Sequence, residues 1–144
     1  MRLAKVRDVK TPTRGTPKSA GVDFYVPNDF PGVVLTANQS AKIPSGIKCE
    51  VPEGYALIAF NKSGVALKGL AVGACVVDED YQGEVNLHVF NHTSNPIEIK
   101  PGEKLMQFIL IEVFYDTIEE VELENLFTRD SDRGEGGFGS TNHK

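Results

Sequence analysis

Glu84-Val85-Asn86-Leu87-His88-Val89-Phe90 alternates polar and apolar residues with a period of two, the pattern of a strand that buries one face. The same alternation runs through Ala41-Lys42-Ile43-Pro44-Ser45-Gly46-Ile47-Lys48-Cys49-Glu50-Val51, and Pro52-Glu53-Gly54 then breaks it. Residues 55–60 form a short apolar run. Downstream, 92–96 reads as a loop, Ile97-Glu98-Ile99 alternates, Lys100-Pro101-Gly102-Glu103 turns, and 105–114 reads as a largely buried strand. No long stripe of 3.6-residue period occurs, so helical turns are expected only at 63–68 and 118–126. Many short strands with frequent turns predict an all-β fold, a distorted jelly roll or β-sandwich.

With 144 residues the chain has room for one compact domain and too little for two of ordinary size. Fifteen basic against twenty acidic residues leave a net charge of −5. Nucleic-acid binders normally carry a basic excess, so stable binding to nucleic acid is not expected. Two cysteines, Cys49 and Cys75, make neither a disulfide framework nor a four-thiolate metal site. Both sit among apolar neighbours and read as buried, reduced thiols. Residues 105–114 fall far short of the roughly 20 apolar residues a bilayer span needs. Met-Arg-Leu-Ala-Lys-Val-Arg at the start lacks a signal peptide's apolar core. A cytoplasmic protein is expected, in the host cytoplasm if the source is viral.

From Thr128 onward the composition changes. The last seventeen residues hold one aromatic side chain and no apolar period, too little to offset their ordering entropy. The expected division is a core at 1–127 and a mobile glycine-rich arm at 128–144. Gly134-Glu135-Gly136-Gly137-Phe138-Gly139 formally matches a dinucleotide fingerprint, but only five residues follow, too few for the helix that motif requires. The order Arg133, glycines, Phe138, Ser140-Thr141 suits something else. A guanidinium and hydroxyls match phosphate oxygens, an aromatic ring matches the face of a base, and glycines let the backbone fold over both.

Two internal segments carry candidate chemistry. Asp78-Glu79-Asp80-Tyr81-Gln82-Gly83 is either an acidic hairpin turn or a site where a carboxylate serves as base toward water, with Tyr81 offering a flat face to a sugar. Asn61-Lys62-Ser63-Gly64 is either a helix cap made by Ser63 or a phosphate cradle of amides, hydroxyl and ammonium. His88 and His92 are separated by roughly 13 Å on a strand, too far to share an ion, and His88 reads as a surface residue. Any metal would be magnesium held mainly by substrate phosphates and water.

Five segments in order resemble the five motifs of the homotrimeric dUTPases. They are Ala20-Gly21-Val22-Asp23-Phe24-Tyr25, then Lys62-Ser63-Gly64-Val65-Ala66, then 73–83 with its Asp-Glu-Asp-Tyr, then Pro101-Gly102-Glu103-Lys104-Leu105-Met106-Gln107, and finally 133–141. The resemblance implies a jelly roll assembled as a homotrimer that hydrolyses dUTP to dUMP and pyrophosphate with Mg²⁺. That reaction would keep uracil out of DNA and supply dUMP for dTMP synthesis. One subunit would supply the first, second and fourth motifs, a neighbour the third, and the remaining subunit its tail.

By the same resemblance Asp78 would deprotonate the water that attacks the α-phosphorus. Tyr81 would lie against the deoxyribose and exclude a 2′-hydroxyl. Cys75, Val76 and Val77, with Asn86 nearby, would recognise uracil. Lys62, Ser63, Gly64 and Gln107 would hold phosphates, and Asp23 would stand in the outer shell of Mg²⁺. Phe138, with Gly139 beside it, would cap the base, while Arg133, Ser140 and Thr141 grip the γ-phosphate. Lys62 stands where the family usually has arginine, and Cys75 where glycine is common. The rival readings are a dCTP deaminase-like enzyme, which is similar in fold, and a nucleotide-gated signalling trimer.

Overall fold

The computed structural model describes residues 1–140, and the fold is almost entirely β. The strands are β1 (Arg2–Lys5), β2 (Val22–Tyr25), β3 (Val33–Leu35), β4 (Ser40–Pro44), β5 (Ile47–Glu50), β6 (Tyr55–Phe60), β7 (Leu70–Val72), β8 (Val76–Val77), β9 (Asn86–Asn91), β10 (Ile97–Ile99) and β11 (Lys104–Glu112). Helix α1 (Ser63–Leu67) lies between β6 and β7, and a 3-10 turn covers Leu123–Asn125. The chain divides into two compact units, Met1–Phe114 and Tyr115–Lys144. No helix among the described residues is long and apolar enough to cross a membrane.

In the first unit a four-stranded sheet runs β2-β11-β6-β8 and a three-stranded sheet runs β4-β9-β7, with β1-β5 and β10-β3 as two further pairs. All named pairs are antiparallel. This is the jelly-roll class anticipated from the short alternating runs. The alternation in β9 works as expected: Leu87, Val89 and Asn91 are buried while Asn86, His88 and Phe90 face outward, half-buried. Phe24 and Phe108 meet at 4.4 Å between ring centroids. They join Leu57 and Met106 of their own sheet and Ile43, Leu87 and Val89 of the other in one apolar core.

One reading needs correction. The alternating run at 41–51 is not one strand. It breaks at Ser45-Gly46, and its halves go to different partners, β4 to β9 and β5 to β1. The cause is local: Gly46 takes φ +74°, a region that glycine enters without a Cβ penalty. Ser45 is fully buried, and its Oγ accepts the Ile47 N–H at 3.1 Å. The helical turn expected within 118–126 forms as the 3-10 turn at Leu123–Asn125. Ile118, Leu123 and Phe127 are 97%, 80% and 81% exposed, so no buried face supports a longer helix.

Candidate active site

The antiparallel pairing of β2 with β11 sets Asp23 opposite Gln107, and β11 in turn sets Gln107 opposite Phe60 at the end of β6. The chain leaves β6 through Asn61 and Lys62 into α1, so the first, second and fourth motifs meet at one end of this sheet. Asp23 is 4% exposed. Its Oδ1 accepts a short hydrogen bond from Lys62 Nζ, and Lys104 Nζ lies 3.3 Å from its Oδ2. Burial by itself pushes the Asp23 carboxyl up, but the hydrogen bonds and charges of Lys62 and Lys104 together hold it below the usual carboxylate range. Two ammonium groups on one carboxylate leave one net positive charge, which suits a phosphate.

Gln107 Nε2 donates to Asn61 O at 2.9 Å, tying β11 to the entrance of α1. Gly21 lies against the Gln107 side chain so closely that a Cβ there would overlap it. Ser63 does not cap the helix: the N-cap position is Lys62, no side chain caps it, and the first helical bond runs from Ala66 N to Lys62 O at 2.8 Å. Ser63 and Gly64 are exposed, with hydroxyl and amides turned over to solvent. Lys104 was not singled out in the sequence. Its signal was present in the fourth motif, but its role depends on the pairing of β2 with β11.

The third motif occupies the crossing from β7 to β9. Here the chain leaves the three-stranded sheet, and β8 attaches to β6 with Leu57 opposite Val77 and Ile58 opposite Val76. Ala59 N donates to Cys75 O at 2.8 Å. Because β8 is the last strand of its sheet, its outer edge keeps backbone donors and acceptors available. Val77 is buried and Val76 exposed. Among the described non-glycine residues only Asn38 and Phe138 have positive φ, so Cys75 fits its backbone without left-handed strain.

Beyond β8, Asp78 is exposed, and its carbonyl accepts the Tyr81 N–H at 3.1 Å. Glu79 turns away to accept from Gly54 N at 3.0 Å. Tyr81 lays its ring over Gly83 so tightly that a Cβ on Gly83 would overlap it, and its hydroxyl donates to Glu84 O at 2.9 Å. Asn86 Nδ2 donates to the same carbonyl at 3.1 Å. The Glu84 carboxylate accepts from Arg7 at 2.7 and 3.1 Å and from Gly46 N at 2.8 Å.

One chain does not bring these two halves together. Asp23 and Cys75 stand at opposite edges of the four-stranded sheet, three strand spacings or about 14 Å apart, and Asp78, beyond Cys75 in the chain, lies about 10 Å further along the strand direction. A cleft of about 560 Å³ is lined by Arg2, Lys48, Cys49, Glu53, Glu79, Tyr81 and Gln82 among others, but by neither Asp78 nor Asp23.

In the second unit every described residue up to Glu135 is exposed. Arg133 Nε donates to Gly136 O at 2.7 Å, and Ser140 N donates to Gly137 O at 3.1 Å. Phe138 is fully exposed at φ +48°, next to Gly139 at φ +91°. Thr141 lies outside the described residues.

No group of three or more histidine, cysteine or carboxylate ligands for a metal occurs among the described residues. One chain by itself therefore offers no such cage among its described residues. Asp23 spends one acceptor position of each oxygen on a lysine, and each oxygen has two lone pairs. The lone pair left on each oxygen can accept from metal-bound water, which fits magnesium carried by a polyphosphate.

Comparison with known proteins identifies the family. The dUTPase family model matches residues 7–142. The deoxyuridine 5'-triphosphate nucleotidohydrolase of Candida glabrata is 46% identical over 132 residues, covering 90% of this chain and 87% of that protein. The structure of the Staphylococcus bacteriophage 80alpha dUTPase with dUpNHpp superimposes with a TM-score of 0.84, at 23% identity and 96% coverage of both chains. A mutant dUTPase from phage phi11 of S. aureus superimposes at 0.76, with 20% identity and 84% and 95% coverage, and is described as coordinating a structural Mg(II) ion.

Proposed function

The chain belongs to the dUTPase family, and from that premise we propose how its separated polar clusters divide the work on one substrate. It is a dUTP diphosphatase, hydrolysing dUTP to dUMP and pyrophosphate. The observation that carries the division of labour is the pair of lysines on the buried Asp23 at one edge of a sheet whose other edge carries β8 and Asp78.

The phosphate end goes to Lys62, Ser63, Gly64 and Gln107, with Lys104 adding a second cation. Lys62 acts as a point charge, already oriented by Asp23, where arginine would give a bidentate fork. The base goes to the outer edge of β8. Uracil offers an acceptor–donor–acceptor edge, and backbone groups around Cys75, Val76 and Val77 are the complementary set, with Asn86 beside the stem. Tyr81, fixed through its hydroxyl and flat over Gly83, presents its ring to the deoxyribose and leaves no space for a 2′-hydroxyl.

Asp78 takes the proton of the attacking water. Its carboxylate has no hydrogen-bond partner among the described residues, so it is available to accept one. Phe138 and Gly139 close on the base, and Arg133, Ser140 and Thr141 on the γ-phosphate. The Arg133 bond to Gly136 must open for this, exchanging a carbonyl for a phosphate oxygen, which is the stronger, charge-assisted partner. When bound with the triphosphate, Mg²⁺ would supply charge neutralisation, and Asp23 is the residue that would help hold it.

Since Asp23 and Asp78 of one chain stand so far apart, a complete site takes them from different subunits. We assign the protein to a homotrimer with three shared sites, each closed by an arm from 128 to 144. The exposed apolar residues Phe114, Ile118, Leu123 and Phe127 support an assembly, since a lone chain leaves them in water. A cytoplasmic setting belongs to the same proposal and accords with two free cysteines. The deciding experiment incubates the protein with dUTP, dCTP, dTTP or UTP plus Mg²⁺ and identifies products. Pyrophosphate from dUTP alone is expected. Deamination of dCTP would favour the deaminase-like alternative, and binding without turnover the signalling one.

A further inference from the structure

We propose that His88 is a positioning residue for base recognition, holding the upstream stem of the β7–β9 crossing through its unprotonated Nδ1. This rests on the assignment of the backbone at 75–77 to the base. The strand pairing of β7 with β9 ends at Val72 opposite Val89, and the next backbone bond runs from Gly73 N to His88 O at 2.8 Å. At Ala74 the ladder stops, and the His88 side chain takes over: its Nδ1 accepts the Ala74 N–H at 2.9 Å. Cys75 follows directly, so the imidazole fixes the last peptide before the edge that reads the base.

The surroundings leave the ring little choice of position. A Cβ on Gly73 would overlap the His88 ring and stand 2.7 Å from Phe90 Cε2. Phe90 packs against His88 at 4.8 Å between centroids. Glycine at 73 and an aromatic at 90 thus form the slot that aims Nδ1 at Ala74. Accepting a hydrogen bond requires a bare Nδ1, with the ring proton on Nε2. An imidazolium is a donor at both nitrogens, so protonation converts the anchor into a repulsion against the Ala74 N–H. The charged group that faces His88 across β4 is Lys42. The stem at Gly73-Ala74 presents none, and His92 lies beyond the Phe90 ring.

The test compares dUTP hydrolysis by the wild type, His88→Asn and His88→Leu, with dTTP and dCTP as competing substrates. Asparagine places an oxygen acceptor near the Nδ1 position and cannot take up a proton. Leucine fills space without an acceptor. Losing one net hydrogen bond at the stem should raise the His88→Leu KM for dUTP about fivefold with kcat within about twofold, and lower its selectivity over dTTP and dCTP. His88→Asn should stay near the wild type.

On acidification the wild-type KM should rise relative to that of His88→Asn, because only the imidazole can take up a proton and lose its acceptor. Substrate ionisation affects both proteins equally and cancels in the ratio. Should His88→Leu fail to fold, this ratio decides alone. Identical pH profiles for wild type and His88→Asn, or wild-type KM and selectivity in folded His88→Leu, overturn the inference. A wild type that leaves dUTP untouched overturns the parent reading and this inference with it.

Discussion

Placing one carboxylate between two lysines sets its charge state and, through it, part of the acid limit of the fold. Asp23 is held ionised below the usual carboxylate range because Lys62 and Lys104 outweigh the cost of its burial. Its folded pKa therefore lies below its unfolded one, near 3.9 in model peptides. Stability from this group is fully present above that unfolded value and is lost as pH falls through the folded one, because the unfolded chain takes up a proton that the native state refuses. The measurement is the denaturation midpoint of the wild type minus that of Asp23→Asn, at fixed chain concentration, as pH is lowered from about 5 to about 3. The difference should shrink steadily, and one that does not change with pH would show that the two lysines contribute nothing to the carboxylate's charge. Of this site the sequence marked locally only Lys62, within a candidate phosphate cradle. Asp23, Lys62, Lys104 and Gln107 are brought together by the pairing of β2 with β11 and β6, so only resemblance to known motifs could gather most of them in advance.

At the scale of elements, legibility tracked strand length. β6, β9 and β10 are long enough, or alternate cleanly enough, to read directly, and α1 falls where a helical turn was expected. β1, β2, β3, β7 and β8 span two to four residues each, too few for a period to emerge from neighbouring loops. β8 carries the backbone proposed to read the base, yet only its place on the edge of β6 defines it as a strand. The break between β4 and β5 was obscured for a different reason. Alternation continues across Pro44-Ser45-Gly46, and the interruption lies in a backbone angle rather than in polarity. Gly46 has φ +74°, and a Cβ there would stand 2.8 Å from Val9 Cγ1. Gly46→Ala therefore combines left-handed strain with a clash against a buried residue, and should cost about 2 kcal/mol or more. It should also loosen Glu84, whose carboxylate accepts the Gly46 N–H. Equilibrium urea denaturation of the variant checks this, and unchanged stability would mean that the turn relaxes freely.

For the whole molecule the question is whether a site is assembled from several chains. The registers of the four-stranded sheet keep Asp23 and Asp78 at opposite corners within one subunit, and the proposed arm at 128–144 falls within the second unit, Tyr115–Lys144. Two inactive proteins can therefore be made to rescue each other. Asp78→Asn should bind dUTP but lose turnover by a factor of about 10²–10⁴, as expected for removal of a general base. A chain ending at Asp132 keeps Asp78 but lacks the closing residues, and should form the same assembly with hydrolysis crippled. In mixed trimers formed by co-refolding equal amounts, a site works when its Asp78 comes from a truncated chain and its arm from an Asp78→Asn chain. Each condition holds at half of the positions, so activity should recover to about a quarter of the wild-type rate. If base and arm of each site came from the same chain, or if each chain worked alone, no site would contain both and the mixture would stay inactive. Sedimentation of the same samples separates that outcome from failure to mix, because only assembled heterotrimers have masses between those of the two parents.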